Sequence, residues 1–110
     1  MSIYGALLNA ARKKAGMSIS RLAREIERSE AHMREVEKGT RGPLGLDDTR
    51  KVARALGIPA RELLEAMVRD RGKVELVVPP DGPRFELAVR LLERWDLMRD
   101  EEMGRLVREA

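Results

Sequence analysis

The stretch from Ser18 to Gly39 constrains the fold more than any other part of the chain. It holds two apolar stripes at helical spacing, Leu22, Ala23 and Ile26 in the first and Met33 and Val36 in the second. Ser18 and Ser29 stand where each helix would begin, and a serine hydroxyl there accepts a hydrogen bond from an otherwise unpaired backbone N–H. Gly39 ends the second stripe. The pattern predicts two helices of about eight residues joined by a turn of three or four. Ala23 is small where the two helices would cross closely, and generic helical hairpins rarely combine that residue with both inward positions.

Short helices continue on either side. Leu8, Ala11 and Ala15 recur at helical spacing and stop at Gly16, which tolerates a left-handed backbone. Thr40 to Gly45 contains a proline and two glycines and reads as loop. Asp47 or Asp48 then starts a fourth helix, with Val52, Ala53 and Leu56 inward and Gly57 closing it. Pro59 suits the first turn of a fifth helix, where its missing N–H is harmless, and Leu63, Leu64, Met67 and Val68 form that helix's apolar face. The pattern changes at Gly72. Val74, Leu76 and Val78 alternate with Glu75 and Val77, a period of two that predicts a short strand. Pro79-Pro80-Asp81-Gly82-Pro83 interrupts regular structure. Leu87, Ala88, Leu91, Leu92 and Trp95 return to helical spacing, and Met103, Leu106 and Val107 mark a short last helix. The expected fold is all-α, a five-helix body over residues 1–72 and a strand-plus-helix segment over 73–110. There is no internal repeat and no low-complexity tract.

Composition limits the chemistry. The chain is 43% hydrophobic but only 3% aromatic, so its core must be largely Leu, Val, Ile, Ala and Met. Zero cysteines remove disulfides, thiol catalysis and zinc–thiolate sites together. No apolar run approaches the roughly 18 residues of a membrane span, and the N-terminus lacks the apolar region of a signal peptide. The expectation is a cytoplasmic protein with no membrane partner. The net charge of +3 is unevenly spread. Residues 1–73 hold 16 Lys/Arg against 10 Asp/Glu, whereas residues 74–110 hold 6 against 9. A basic body followed by an acidic segment suggests that the first part meets a polyanion and the second does something else.

The helix pair has the spacing of a DNA-reading helix-turn-helix. The sequence resembles the lambda-repressor/Cro-like family, also called the xenobiotic-response-element (XRE) family. The resemblance spans roughly Leu7 to Met67. It is carried by Leu8-Asn9-Ala10-Ala11-Arg12, Gly16-Met17-Ser18, Leu22-Ala23, Val36-Glu37-Lys38-Gly39, Val52 to Ile58 and Glu62-Leu63-Leu64. It implies an all-α five-helix DNA-binding domain in which Arg12 and Glu37 pair, tying the first helix to the recognition helix. Three positions depart from the family pattern. Ile19 replaces a glutamine that commonly touches DNA, Glu27 replaces a turn glycine, and Arg28 replaces an apolar residue. Glycine suits such a turn because positive φ is often required, so Glu27 implies either a strained turn or a longer second helix.

The resemblance makes Ser29, Glu30, Ala31, Arg34, Glu35 and Lys38 groove-facing. Arg34 can bond guanine O6 and N7 together, Ala31 can meet a thymine methyl, and Glu30 can accept from cytosine N4. Ser29 and the N–H groups at the helix start can hold a phosphate. Arg21, Arg28, Lys38, Thr40 and Arg41 are expected to contact the DNA backbone, positioning the protein without reading sequence.

Other conspicuous residues have plainer readings. His32 is the only histidine and reads as a solvated or DNA-edge side chain rather than a metal ligand. Asp47 and Asp48 diverge around a helix and suit its positive end as caps. Trp95 reads as core or dimer contact, and the six methionines as packing residues. Gly39, Gly42 and Gly45 lack the strand and Gly-Lys-Ser of a phosphate loop. No nucleophile–base pair is evident, so the expectation is a non-enzymatic protein without cofactor or metal.

The leading expectation is a transcriptional repressor that occupies a palindromic operator in double-stranded DNA as a homodimer. The other is an antitoxin or adaptor whose main partner is a protein, such as a toxin or another regulator. Dimerisation is expected through residues 73–110. The Val74–Val78 strand would pair with the same strand of a second copy, antiparallel and covered by the Leu87–Trp95 helix, unless a foreign protein completes it.

Overall fold

The first three helices start where serine hydroxyls cap them. The computed structural model describes residues 2–109. Helix α1 (Ile3–Lys14) follows Ser2, whose hydroxyl accepts from the Gly5 N–H at 2.8 Å. Ser18 caps α2 (Ile19–Glu25) through the Arg21 N–H, and Ser29 caps α3 (Glu30–Lys38) through the His32 N–H, each at 3.1 Å. Gly39 closes α3 with φ of 82°, a left-handed conformation that releases the chain into the following loop. Helices α4 (Leu46–Leu56) and α5 (Ala60–Arg71) complete the body. Then α6 (Pro83–Arg94) and α7 (Asp100–Glu109) follow. None of the helices among the described residues is long and apolar enough to cross a membrane.

Three local expectations need correction. Helix α4 begins at Leu46, after Gly45, which has no side chain to cap it, and Asp48 lies within the first turn with its carboxylate bonded to Arg28. Pro59 occupies the cap just before α5 rather than its first turn. Ala15 lies beyond the end of α1 and is exposed, so the inward stripe of that helix is Tyr4, Leu8 and the half-buried Ala11.

The chain divides into two compact units, one running to Glu75 and the other from Leu76 onward. In the first, α1 lies against α3 and α5, α2 packs on α3 and α4, and α4 packs on α5. Leu8, Leu22, Ile26, Met33, Val36, Val52 and Leu63 fill the space between them, each no more than 2% exposed. Tyr4 joins this aliphatic core with its hydroxyl 2.9 Å from that of Thr49, which in turn donates to the Leu44 carbonyl. Burial pushes the Tyr4 phenol up to about 12, against a smaller opposing effect of the Thr49 hydrogen bond. Asp70, late in α5, accepts from the N–H groups of Ile3 and Tyr4 at 3.2 and 2.8 Å and so fixes the start of α1.

The second unit contains two helices, α6 and α7, and none of its described residues is buried. Phe85, Leu92, Trp95, Leu97 and Val107 are exposed. The strand expected at Val74–Val78 is absent: residues 74–79 adopt no regular structure, and no described residue is in a strand. A period-two pattern specifies which side chains share a face, but a strand also needs a neighbour for its N–H and C=O groups, and this chain offers none.

Candidate nucleic-acid interface

The turn that presents α3 is made by residues outside the apolar pattern. Glu27 has φ of 57° and α2 ends at Glu25, so the turn is strained rather than the helix extended. The N–H groups of Glu27 and Arg28 donate to the carbonyls of Arg24 and Ala23 at 3.2 and 2.9 Å. Those bonds, with Ile26 only 2% exposed, hold a conformation that costs a non-glycine residue about 1–2 kcal/mol. Arg28 is anchored as well, its Nε donating to Asp48 at 2.7 Å. That contact joins the turn to α4.

α3 is braced from behind by α1. Arg12 Nε and Nη2 donate to the two Glu37 carboxylate oxygens at 2.8 and 3.1 Å. Its Nη1 donates to the Met17 carbonyl at 3.0 Å, and the Asn9 amide donates to Glu37 at 2.6 Å. The Glu37 hydrogen bonds push the Arg12 pKa up, outweighing partial burial. Glu37 is only 5% exposed on its side chain, so this network is structural, and its carboxylate is withdrawn from the surface. Gly5 allows the helices to come this close. A Cβ there would lie 2.4 Å from the Val36 carbonyl oxygen and 2.7 Å from that of Glu37, with no room for backbone to yield.

With α3 seated in this way, Glu30, Ala31, Arg34 and Lys38 point to solvent and Glu35 is partly covered. The Ser29 hydroxyl is committed to the helix cap. Thr40 folds back on α3, its N–H and hydroxyl both donating to the Glu35 carbonyl, and Arg41 reaches the Glu35 carboxylate at 2.8 Å. Arg34 pairs with Glu30 one turn earlier at 3.3 Å, and Arg21 pairs with Glu25 on α2 at 3.6 Å. Lys38 makes no ion pair among the described residues. A shallow groove lined by Asn9 and Arg12 of α1, Ser18 and Ile19 at the start of α2, and Arg34, Glu37 and Lys38 of α3 lies where the three helices meet. The ten residues singled out from sequence thus lie on α3, α2 and the segments that follow each of them. The arginines among them are not free: each is held by a carboxylate of this chain.

Sequence reasoning missed Gly5, Tyr4, Asn9 and the Arg28–Asp48 pair. Only Arg28 carried a signal, as a charged residue where an apolar one is usual.

Short helices around one core, with a second-and-third-helix pair turned outward, define a helix-turn-helix protein. A family model described as a helix-turn-helix domain matches residues 3–67, and the chain belongs to that family. A comparison with curated proteins finds none that matches.

Proposed function

We propose that this protein is a sequence-specific transcriptional regulator of the lambda-repressor/Cro-like (XRE) kind, a DNA-binding protein rather than an enzyme. The observation that carries this reading is the exposed outer side of α3, held rigidly by the Arg12–Glu37 network and bearing Arg34, Lys38 and Glu30 where base edges would lie. Arg34 would read guanine, and Lys38, Thr40, Arg41, Arg21 and Arg28 would meet phosphates. Repression by occupying an operator follows if two copies bind a palindromic site. Self-association is supported by a second unit that leaves Phe85, Leu92 and Trp95 exposed and buries none of its described residues.

Selection from a random duplex pool tests the reading. A two-fold-symmetric sequence with half-sites about 34 Å apart should emerge, and Arg34→Ala should relax base preference at a cost of about 1–3 kcal/mol. An unenriched pool at low salt would remove the DNA reading. A second reading, an antitoxin or adaptor for a partner protein, draws on the fact that the four interface arginines are already paired with acids.

A further inference from the structure

Among the ion pairs of the described residues, only two are built on a nearly buried acid. In Arg12–Glu37 both ends are covered, with side chains 14% and 5% exposed, and the pair serves as the brace behind α3. In Arg28–Asp48 the acid is 11% exposed while the arginine is 48% exposed. The acids paired with Arg21, Arg34 and Arg41 are 42–46% exposed, and the same open pairing recurs at Arg61–Glu65 on α5 and Arg90–Glu86 on α6. Pairs this open to water are weak and mark ordinary surface. Arg28–Asp48 is of another kind. It spans 20 residues, joins the turn to α4 and engages the arginine through Nε at 2.7 Å, and the two Nη groups make no hydrogen bond among the described residues.

That asymmetry decides what the pair can do. If Arg28 swings away, a carboxylate nearly buried in the first turn of α4 loses its partner, which is costly. The guanidinium is therefore held through Nε, unlike an open surface arginine, while its Nη donors stay available for a second acceptor. Arg28 immediately precedes Ser29, the cap of α3. A helix seated in the major groove brings the residues at its start close to the groove wall, where phosphates lie. An arginine that is already ordered gives up less side-chain freedom when a phosphate binds. We infer that Asp48 is a positioning residue: it acts through Arg28, fixing that guanidinium for a backbone phosphate before DNA arrives. The inference rests on the DNA-binding reading above and deepens it, and it concerns affinity rather than the choice of bases.

The test uses the full chain, a duplex enriched by selection and a scrambled duplex of equal length. Charge alone predicts that removing a carboxylate close to a phosphate contact tightens binding. The positioning role predicts the opposite sign. Asp48→Asn should weaken both duplexes by the same factor, about two- to tenfold, and leave their ratio unchanged. Glu27→Gln removes a carboxylate from the same turn and should leave binding unchanged or tighten it. In an Arg28→Ala background, where the plot of log K against log salt should be shallower by about 0.9, Asp48→Asn should no longer weaken binding. Arg28→Lys keeps the charge and a partner for Asp48 but loses the planar fork, so it should weaken both duplexes alike, and it decides the matter if Asp48→Asn does not fold. The inference is overturned if Asp48→Asn tightens binding or leaves it unchanged, if its loss persists without Arg28, or if Arg28→Lys binds as the wild type does. A changed ratio of enriched to scrambled binding also overturns it, because the pair would then support α3 rather than a phosphate contact. A wild-type chain that binds neither duplex overturns the DNA-binding reading itself, an outcome distinct from binding that Asp48→Asn leaves unaltered.

Discussion

The unit that ends at Glu75 and the unit that begins at Leu76 are both helical and both rich in leucine, valine and charge, yet only one of them has an interior. In the first, α1, α2, α3, α4 and α5 each offer an apolar stripe to at least one neighbour, and the stripes close on one another around Leu8, Leu22 and Leu63. In the second, α6 gathers Phe85, Ala88, Val89, Leu91 and Leu92 on one face, with Trp95 just past its end, and α7 is a single helix of ten residues. Two short helices do not enclose that face, so Leu92 stays 79% exposed and Trp95 60% exposed. Apolar content therefore does not make a core. The number of elements available to surround it does, and segments below about 40 residues generally need help from another chain or a crosslink.

The largest expected effect lies in the brace behind α3. Glu37→Ala leaves Arg12 without its carboxylate in a mostly buried position and should lower stability by about 3–5 kcal/mol, whereas Glu30→Ala on the open side should change it by less than about 0.5 kcal/mol. Chemical denaturation of the two variants measures the difference, and equal losses would mean that the brace does not hold the first unit together.

The two units can then be set directly against each other. Leu8→Ala empties a fully buried site and should cost about 2–5 kcal/mol. Leu92→Ala, the same truncation at an exposed site, should leave the unfolding of the first unit unchanged while weakening self-association in sedimentation. Comparable losses in the denaturation of the first unit would erase the distinction.

A smaller effect follows from Tyr4. Folding favours its neutral, hydrogen-bonding form, so this contribution is complete below pH 10 and is lost as the pH climbs through about 12. The loss should be on the order of 2–3 kcal/mol. Tyr4→Phe should flatten the alkaline fall in stability, read as melting temperature between pH 9 and 12, and an unchanged fall would assign it to other groups.

What the sequence reveals follows the range of the interaction responsible. Ser18, Ser29 and Gly39 act within one turn of their own helices, so the helix-turn-helix is legible from spacing alone. The Arg12–Glu37 tie is implied by family resemblance and takes the expected partners. Tyr4 with Thr49, Gly5 beneath Val36, and Arg28 with Asp48 join positions that no periodicity relates, and they emerge only when the helices are placed. Val74–Val78 shows the converse failure, a period-two pattern with no second strand to pair with. At the interface, residue types indicated which side chains are exposed but not that each arginine already holds an acid, because that depends on rotamers and neighbours rather than on spacing.

The claim that α3 is a DNA-reading helix is tested most directly by measuring the affinity of the full chain for an enriched and a scrambled duplex across a range of salt concentrations. For both, log K should fall linearly with log salt as bound counterions are released. At each concentration the enriched duplex should bind about a thousandfold or more tightly. Equal affinities with little salt dependence, or no binding at low salt, would contradict the account.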